Sequence, residues 1–106
     1  MMEAGEIEKI IRDAIQNKLI VEIEYIRKDG TKATRMMEPF DIKPSGRSKE
    51  GPLMFWGWCL FHNRIEQRRL DSIVSLRVTG EHFDPKIRER TFSSPPVYSI
   101  PRDWQS

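Results

Sequence analysis

Hydrophobic residues near the start of the chain recur at the spacing of one helical face. The pattern i, i+3, i+4, i+7, i+8 is filled by Ile7, Ile10, Ile11, Ala14 and Ile15. This spacing predicts an amphipathic helix over residues 5–17. Its apolar stripe needs a partner surface, and the sheet predicted to follow is the simplest one.

The next segments alternate between apolar and polar positions with the period of two that strands show. "LIVEIEYI" is rich in β-branched residues and predicts a strand. Asp29-Gly30 follows it, and this dipeptide is the strongest short signal for a tight hairpin turn. "ATRMMEPF" then predicts the partner strand, which we expect Pro39 to end.

Four further segments complete the predicted fold: a short strand "FDIKP", a Gly/Pro-rich loop, an aromatic strand "LMFWGWCLF" and a return through "RIEQRRLDSI" into "DSIVSLRVT". Several short strands behind one helix predict a mainly β domain over residues 1–84, a small, strongly bent antiparallel barrel capped by the helix. Residues 85–106 are proline-rich and predict an extended tail. Its aromatic residues, Tyr98 and Trp104 among them, favour docking on the same chain or on a neighbouring one.

Composition is that of an ordinary folded domain, with 38% hydrophobic and 32% charged residues. No run approaches the roughly 18 apolar residues of a membrane span, so we expect no membrane partner. The acidic N-terminus is unlike a signal peptide, and the single Cys59 fits a reducing compartment, so we expect a cytoplasmic protein.

The charges are unevenly distributed, although the net charge is only +2. Residues 1–24 hold three Lys or Arg against six Asp or Glu, whereas residues 25–77 hold eleven against six. This basic middle could present a positive patch to an anionic partner, or it could be a solvated mixed surface. Charge alone leaves both open.

The segment "RIEQRRLDSI" has no purely apolar face if it is a strand. Arg64, Glu66 and Arg68 lie on one side, where their alternating charges favour a solvated ladder. Arg69 and Asp71 lie on the other side, beside Ile65 and Gln67. A strand at the rim of a barrel can carry charge in this way, with one side lining a charged pocket.

Catalysis has little support in the sequence. Cys59 and His62 are three apart, which on a strand places them on opposite faces. One thiol and one imidazole also fall short of a zinc site, and no glycine-rich loop has the spacing of a phosphate-binding loop. We therefore expect neither an enzyme nor a resident metal or cofactor.

Two long stretches of the chain resemble the WYL domain, a module usually attached to bacterial transcription regulators. They are "AIQNKLIVEIEYIRKDGTKATRMMEPFDIKP" and "GWCLFHNRIEQRRLDSIVSLRVTGEHF". The resemblance covers most of residues 7–83 and implies an Sm-like, SH3-type β-barrel. The tripeptide Trp-Tyr-Leu that names the family falls on Leu53-Met54-Phe55 here, so the tyrosine hydroxyl is missing at that position.

The resemblance also implies a ligand pocket of basic residues, with nucleic acids or nucleotides as the suspected ligands. Arg69, which matches the family's Arg-Leu-Asp element, is the first candidate for a phosphate contact, and Arg35 is the second. A salt bridge of Arg69 with Asp71 or Glu38 is the structural alternative. The further candidates are Arg68, Arg47 in the loop, and the aromatic residues Tyr25 and Trp56. Core packing is the alternative for Tyr25 and for Trp56, which shares a strand face with Trp58.

Two functions of different class remain open. In the first, the chain is a non-catalytic sensor that binds single-stranded nucleic acid or a nucleotide and signals to a transcription-regulator partner. Family members typically carry an N-terminal DNA reader, whereas residues 1–18 here predict one helix, so we do not expect this chain by itself to be a complete repressor or activator. In the second, the pocket has degenerated and the chain is an assembly module, whose barrel edges or tail bind a second copy or a larger protein.

Overall fold

The computed structural model describes residues 2–44, 51–94 and 96–102. Within these ranges the chain forms two helices, five strands and one turn of 3-10 helix. In chain order they are α1 (Ala4–Asn17), β1 (Leu19–Ile26), β2 (Lys32–Pro44), β3 (Leu53–Cys59), β4 (Arg64–Arg69), the 3-10 turn (Leu70–Ser72), β5 (Ile73–His82) and α2 (Pro85–Glu89).

Helix α1 begins one residue before its predicted start and ends where predicted. Four residues of the predicted apolar stripe are buried, Ile7, Ile11, Ala14 and Ile15, and the fifth, Ile10, is half-buried. The residue that caps the helix, Lys18, has a left-handed backbone with φ 56°, and its N–H donates to the Ile15 carbonyl at 3.3 Å. This turn leads directly into β1, so α1 packs on the sheet that follows it in the chain.

The predicted hairpin between β1 and β2 is confirmed. Gly30 has a φ of 88°, which few other residues adopt. The Asp29 carboxylate accepts hydrogen bonds from the backbone N–H and the hydroxyl of Thr31, at 2.9 and 2.6 Å. These bonds to Thr31, led by the one from its hydroxyl, lower the pKa of Asp29.

Strand β2 runs through Pro39, so the prediction that Pro39 ends it was wrong. The strand pairs with β1 only as far as Met37, opposite Val21, and beyond that point its described ladder is with β3. Pro39 therefore has no ladder with β1 that its missing N–H would break. A register shift between Pro39 and Asp41 marks a bulge at Phe40.

The five strands form one antiparallel sheet in the order β4-β3-β2-β1-β5. Among the described residues β4 and β5 do not pair with each other, so the sheet is open and the predicted barrel is not confirmed. The sheet is nevertheless strongly bent, because Arg68 on β4 reaches Tyr25 on β1 although two strands separate them in the sheet order. The fold is thus mainly β with one main helix.

The sheet has a hydrophobic cluster on each face. The first contains the buried face of α1 together with inward residues such as Ile23, Met37 and Phe55. The second contains Ile20, Phe40, Trp58 and Phe83, with Phe92 and Tyr98 packed against it. We call the first the helix face and the second the tail face.

The C-terminal segment docks on its own chain, which is one of the two alternatives predicted from its aromatic residues. The carboxylate of Asp41 accepts hydrogen bonds from the backbone N–H groups of Ser99 and Ile100, at 2.8 and 2.9 Å. The guanidinium of Arg102 lies 3.4 Å from the same carboxylate. The segment is not wholly extended, since it begins with α2, and Trp104 lies outside the described residues.

Candidate functional site

A basic cleft of about 380 Å³ lies where the end of β1 approaches β4. Four of the residues that line it are cationic: Arg27, Lys28, Arg68 and Arg69. None of its described lining residues is acidic; the others are Tyr25, Ile26, Met54, Gln67 and Ser72. The sheet's bend creates the cleft, because it brings the Arg-rich strand β4 opposite the end of β1. Such a concentration of positive charge suits an anionic ligand.

Two predicted site residues, Tyr25 and Arg68, form the floor of this basic cleft. The Arg68 guanidinium lies 4.5 Å from the centre of the Tyr25 ring, and its Nη2 donates a hydrogen bond to the Tyr25 hydroxyl at 3.2 Å. Tyr25 is buried, as the core-packing alternative expected. With one face of its ring against Arg68, Tyr25 positions this guanidinium at the cleft.

Glu66 binds the polar side chains at the end of β4 together. Its carboxylate accepts from Arg68 at 2.7 Å, from Arg64 at 3.1 Å and lies 2.9 Å from His62 Nδ1. The Glu66 side chain is only 7% exposed. Burial by itself would raise the pKa of Glu66, but the hydrogen bonds from Arg64 and His62 and the charge of Arg68 hold it below the ordinary value.

The predicted solvated ladder on this side of β4 is therefore only partly correct. Arg64, Glu66 and Arg68 do share one side, and the Arg64 side chain is 69% exposed. Glu66 and Arg68 are largely buried, because the bend in the sheet folds this side of β4 over β1. Alternation along one strand carries no information about that long-range contact.

Arg69, the first candidate for a phosphate contact, lines the cleft but is already paired. Its Nε and Nη2 donate to the two oxygens of Asp71 at 3.0 and 2.8 Å. This bidentate bond lowers the pKa of Asp71 and raises that of Arg69. Both side chains are more than half exposed, so an incoming phosphate could replace Asp71 at little cost. The alternative partner, Glu38, is bound by Arg88 instead, at 2.9 Å.

Arg35 does not line the basic cleft. Its guanidinium lies 4.3 Å from the centre of the Phe61 ring, and its Nη1 donates to the Thr34 carbonyl at 2.8 Å. Phe61 lies in the turn between β3 and β4 and is 68% exposed, with its ring centre 4.9 Å from that of His62.

Trp56 lies on the tail face, away from the basic cleft. It lines a second cavity of about 460 Å³ beneath residues 92–94 and 96–98, and the Lys43 ammonium lies 4.5 Å from the centre of its ring. Trp58 shares this face, as the sequence predicted, and is buried in the core there. Arg47, the last candidate, lies outside the described residues.

The prediction that Cys59 and His62 lie on opposite faces was wrong. Residues 60–63 form a turn rather than a continued strand, and Asn63 adopts a left-handed φ of 55° there. The turn carries His62 back, so that its Nδ1 lies 3.6 Å from the Cys59 sulfur. Glu66 completes a group of three side chains that the sequence did not bring together.

Four residues of the cleft and its surroundings were missed from the sequence: Arg27, Lys28, Glu66 and His62. Arg27 and Lys28 directly follow the strand that ends in Tyr25-Ile26. Their position in the sequence could therefore have predicted that they lie beside Tyr25. Glu66 and His62 depend on the turn geometry and on the bend of the sheet. No local pattern signals either feature.

The chain is similar to known proteins at the level of its domain family and of its fold. The WYL domain model matches residues 6–78, so the chain belongs to the WYL domain family. Domains of this family are regulatory modules associated with ligand sensing, and they are not known as catalysts. No curated protein matches the chain.

One similar solved structure is proteasome accessory factor B/C (PafBC) of Arthrobacter aurescens. The TM-score is 0.70 at 16% sequence identity, and the match covers 92% of this chain and 14% of that chain. This identity supports a shared fold alone. No helix among the described residues is both long and apolar enough to cross a membrane.

Proposed function

We propose that this WYL domain is a ligand-sensing module that binds single-stranded nucleic acid or a nucleotide in the basic cleft and signals to a transcription-regulator partner. The observation that carries the proposal is the convergence of four cationic side chains on one cleft, with no acidic residue among the described residues that line it. Guanidinium groups keep their charge at any physiological pH and match phosphate oxygens in geometry.

The four cationic side chains of the cleft differ in the partners that already hold them. Arg68 is held in place by Glu66 and Tyr25, so it offers a preorganised charge at the cleft floor. Arg27 and Lys28 form no ion pair among the described residues and are exposed. Lys28 is therefore available to a ligand without breaking an ion pair, and Arg27 would give up only a long hydrogen bond to the Thr31 hydroxyl, at 3.5 Å. Arg69 at the rim exchanges Asp71 for phosphate.

Binding of labelled single-stranded RNA and DNA oligomers is expected to weaken steeply with salt. Each phosphate contact on a single strand contributes about −0.7 to the slope of log affinity against log salt, so four contacts predict about 50-fold weaker binding at 200 mM than at 50 mM. Fluorescence anisotropy measures this, and competition by nucleoside monophosphates distinguishes a nucleotide ligand from an oligomer.

Lys28→Ala supplies the residue-level control for this experiment. It is expected to reduce the magnitude of the slope by about 0.7, whereas Lys86→Ala removes the same charge from the exposed helix α2 and is expected to change nothing. No binding by the wild-type chain at low salt, or equal losses in the two variants, would overturn the basic cleft as the site.

Asp71→Asn is expected to strengthen binding about two- to fivefold, because it releases Arg69 from an exposed ion pair. Arg69→Ala is expected to weaken binding. The same anisotropy titration measures both changes, and circular dichroism checks the fold. If Arg69 serves only its salt bridge, neither variant will alter affinity, and Arg69 is then excluded as a ligand contact.

One observation supports the alternative function, in which the chain assembles with a second copy or a larger protein. Strands β4 and β5 are both edges of the open sheet, and such edges can pair with another chain. The tail is a weaker candidate for that role, because Ile100 is buried in its own domain. Sedimentation velocity over a range of concentrations tests whether the chain binds a second copy of itself, and a monomer throughout would exclude self-assembly.

A further inference from the structure

Three side chains with different ligand atoms converge around the turn between β3 and β4. They are Cys59 at the end of β3, His62 in the turn and Glu66 in β4, and their ligand atoms all lie within 4.8 Å of one another. We propose that Cys59, His62 and Glu66 bind one zinc-type transition-metal ion. This site is separate from the basic cleft, since none of the three residues lines that cleft.

The distances between the ligand atoms agree with tetrahedral zinc. With a Zn–S bond of about 2.3 Å and a Zn–N bond of about 2.05 Å, a sulfur and a nitrogen at the tetrahedral angle are about 3.6 Å apart. Cys59 Sγ and His62 Nδ1 are 3.6 Å apart. His62 Nδ1 and Glu66 Oε2 are 2.9 Å apart, and an ion between them requires this distance to open by only about 0.4 Å.

The chemistry of the three groups also suits such an ion. Thiolate, imidazole and carboxylate are all ligands that zinc accepts, and three protein ligands leave a fourth position for water. Binding releases the proton of the Cys59 thiol, and the neutral His62 ring carries its remaining proton on Nε2, which leaves Nδ1 free to bind the ion. Access is from the side of His62, whose side chain is 35% exposed, because Cys59 is fully buried.

The proposed divalent cation would lie close to two guanidinium groups, which carry charge of the same sign. Arg68 binds Oε1 of Glu66, whereas Arg64 and His62 approach Oε2. An ion on Oε2 therefore leaves the Arg68 bond in place and displaces only Arg64, which is 69% exposed and can turn into solvent. The thiolate and the carboxylate together cancel the ion's two charges, so the bound unit is neutral where Glu66 alone carries one negative charge. Arg68 then keeps its hydrogen bond to Oε1 but loses part of its charge attraction to Glu66.

Titration of the full chain with Co²⁺, under conditions that keep the thiol reduced, tests the site. Tetrahedral cobalt bound to a thiolate gives a charge-transfer absorption, and we expect it to saturate at one equivalent and to be removed by Zn²⁺. Cys59→Ser is expected to abolish this absorption and to weaken zinc binding at least about tenfold. His82→Ala, which removes the other histidine of the chain, is the matched control and is expected to bind as the wild type does.

His62→Ala provides a second variant if the buried Cys59→Ser change unfolds the domain, since His62 lies in a surface turn. It is expected to lose tight binding while keeping the wild-type circular dichroism. Absence of the absorption in the wild type would overturn the proposal. So would zinc binding that both variants retain, which would mark an adventitious ion held elsewhere.

Discussion

Replacing Asp41 by Ala is expected to release the C-terminal segment from the sheet and to lower the free energy of unfolding by about 3–5 kcal/mol. Asp41 is 2% exposed and receives the backbone N–H groups of Ser99 and Ile100. Its removal leaves these donors without their acceptor and takes away the carboxylate that lies 3.4 Å from the Arg102 guanidinium, whose side chain is fully buried.

The consequences extend beyond the carboxylate itself. Ile100 belongs to the helix-face cluster, and Tyr98 packs against Phe40 in the tail-face cluster with ring centres 6.3 Å apart. A released segment therefore exposes apolar surface from both faces of the sheet. Burial lowers the pKa of Arg102, and the Asp41 charge opposes that effect.

Urea unfolding of three variants separates this account from a general effect of losing charge. Asp41→Asn keeps one acceptor oxygen and is expected to lie between Asp41→Ala and the wild type. Glu8→Ala removes an ion pair with Arg12 on the surface of α1 and is expected to change stability by less than about 0.5 kcal/mol. Wild-type stability in Asp41→Ala, with unchanged amide chemical shifts at Ser99 and Ile100, would contradict the docking.

The parts of the fold that the sequence predicts well are those with a local cause. Helix α1 has a complete apolar stripe, and the β1–β2 hairpin has Asp29-Gly30 at its turn. The continuity of β2 through Pro39 and the open edges of the sheet were not predictable in this way. They depend on which strand lies beside which residue, and a single strand's alternation does not contain that information.

The candidate site shows the same division between local and long-range causes. Tyr25, Arg68 and Arg69 were separate candidates in the sequence, and the bend of the sheet brings them together at one cleft. Arg35 and Trp56 had comparable support but lie elsewhere, Arg35 against Phe61 and Trp56 on the tail face. Residue type thus identified basic and aromatic candidates, but only the curvature of the sheet determined which of them are neighbours.

Replacing Glu66 by Ala is expected to cost about 3–5 kcal/mol of stability and to disorder the floor of the basic cleft. The Glu66 carboxylate holds Arg68 at 2.7 Å and lies 2.9 Å from His62. Without it, the partly buried Arg68 has lost its counter-charge and retains only the Tyr25 hydroxyl and the Gln67 carbonyl as acceptors. Ligand affinity should fall as well, because Arg68 then has to be ordered by the ligand itself.

The pH dependence of stability identifies this role of Glu66. Its folded-state pKa lies below the ordinary value of 4.5, so the stabilisation it supplies is fully present above that pH and is lost as the pH falls through the folded-state value. The stability difference between the wild type and Glu66→Gln is therefore expected to be largest above pH 4.5 and to shrink in acid. Urea unfolding between pH 3 and 6 measures it, with exposed Glu81→Gln as control. A difference that stays constant down to pH 3 would mean that the Glu66 charge does not stabilise this cluster, and Arg68 would then owe its position to Tyr25 and the Gln67 carbonyl.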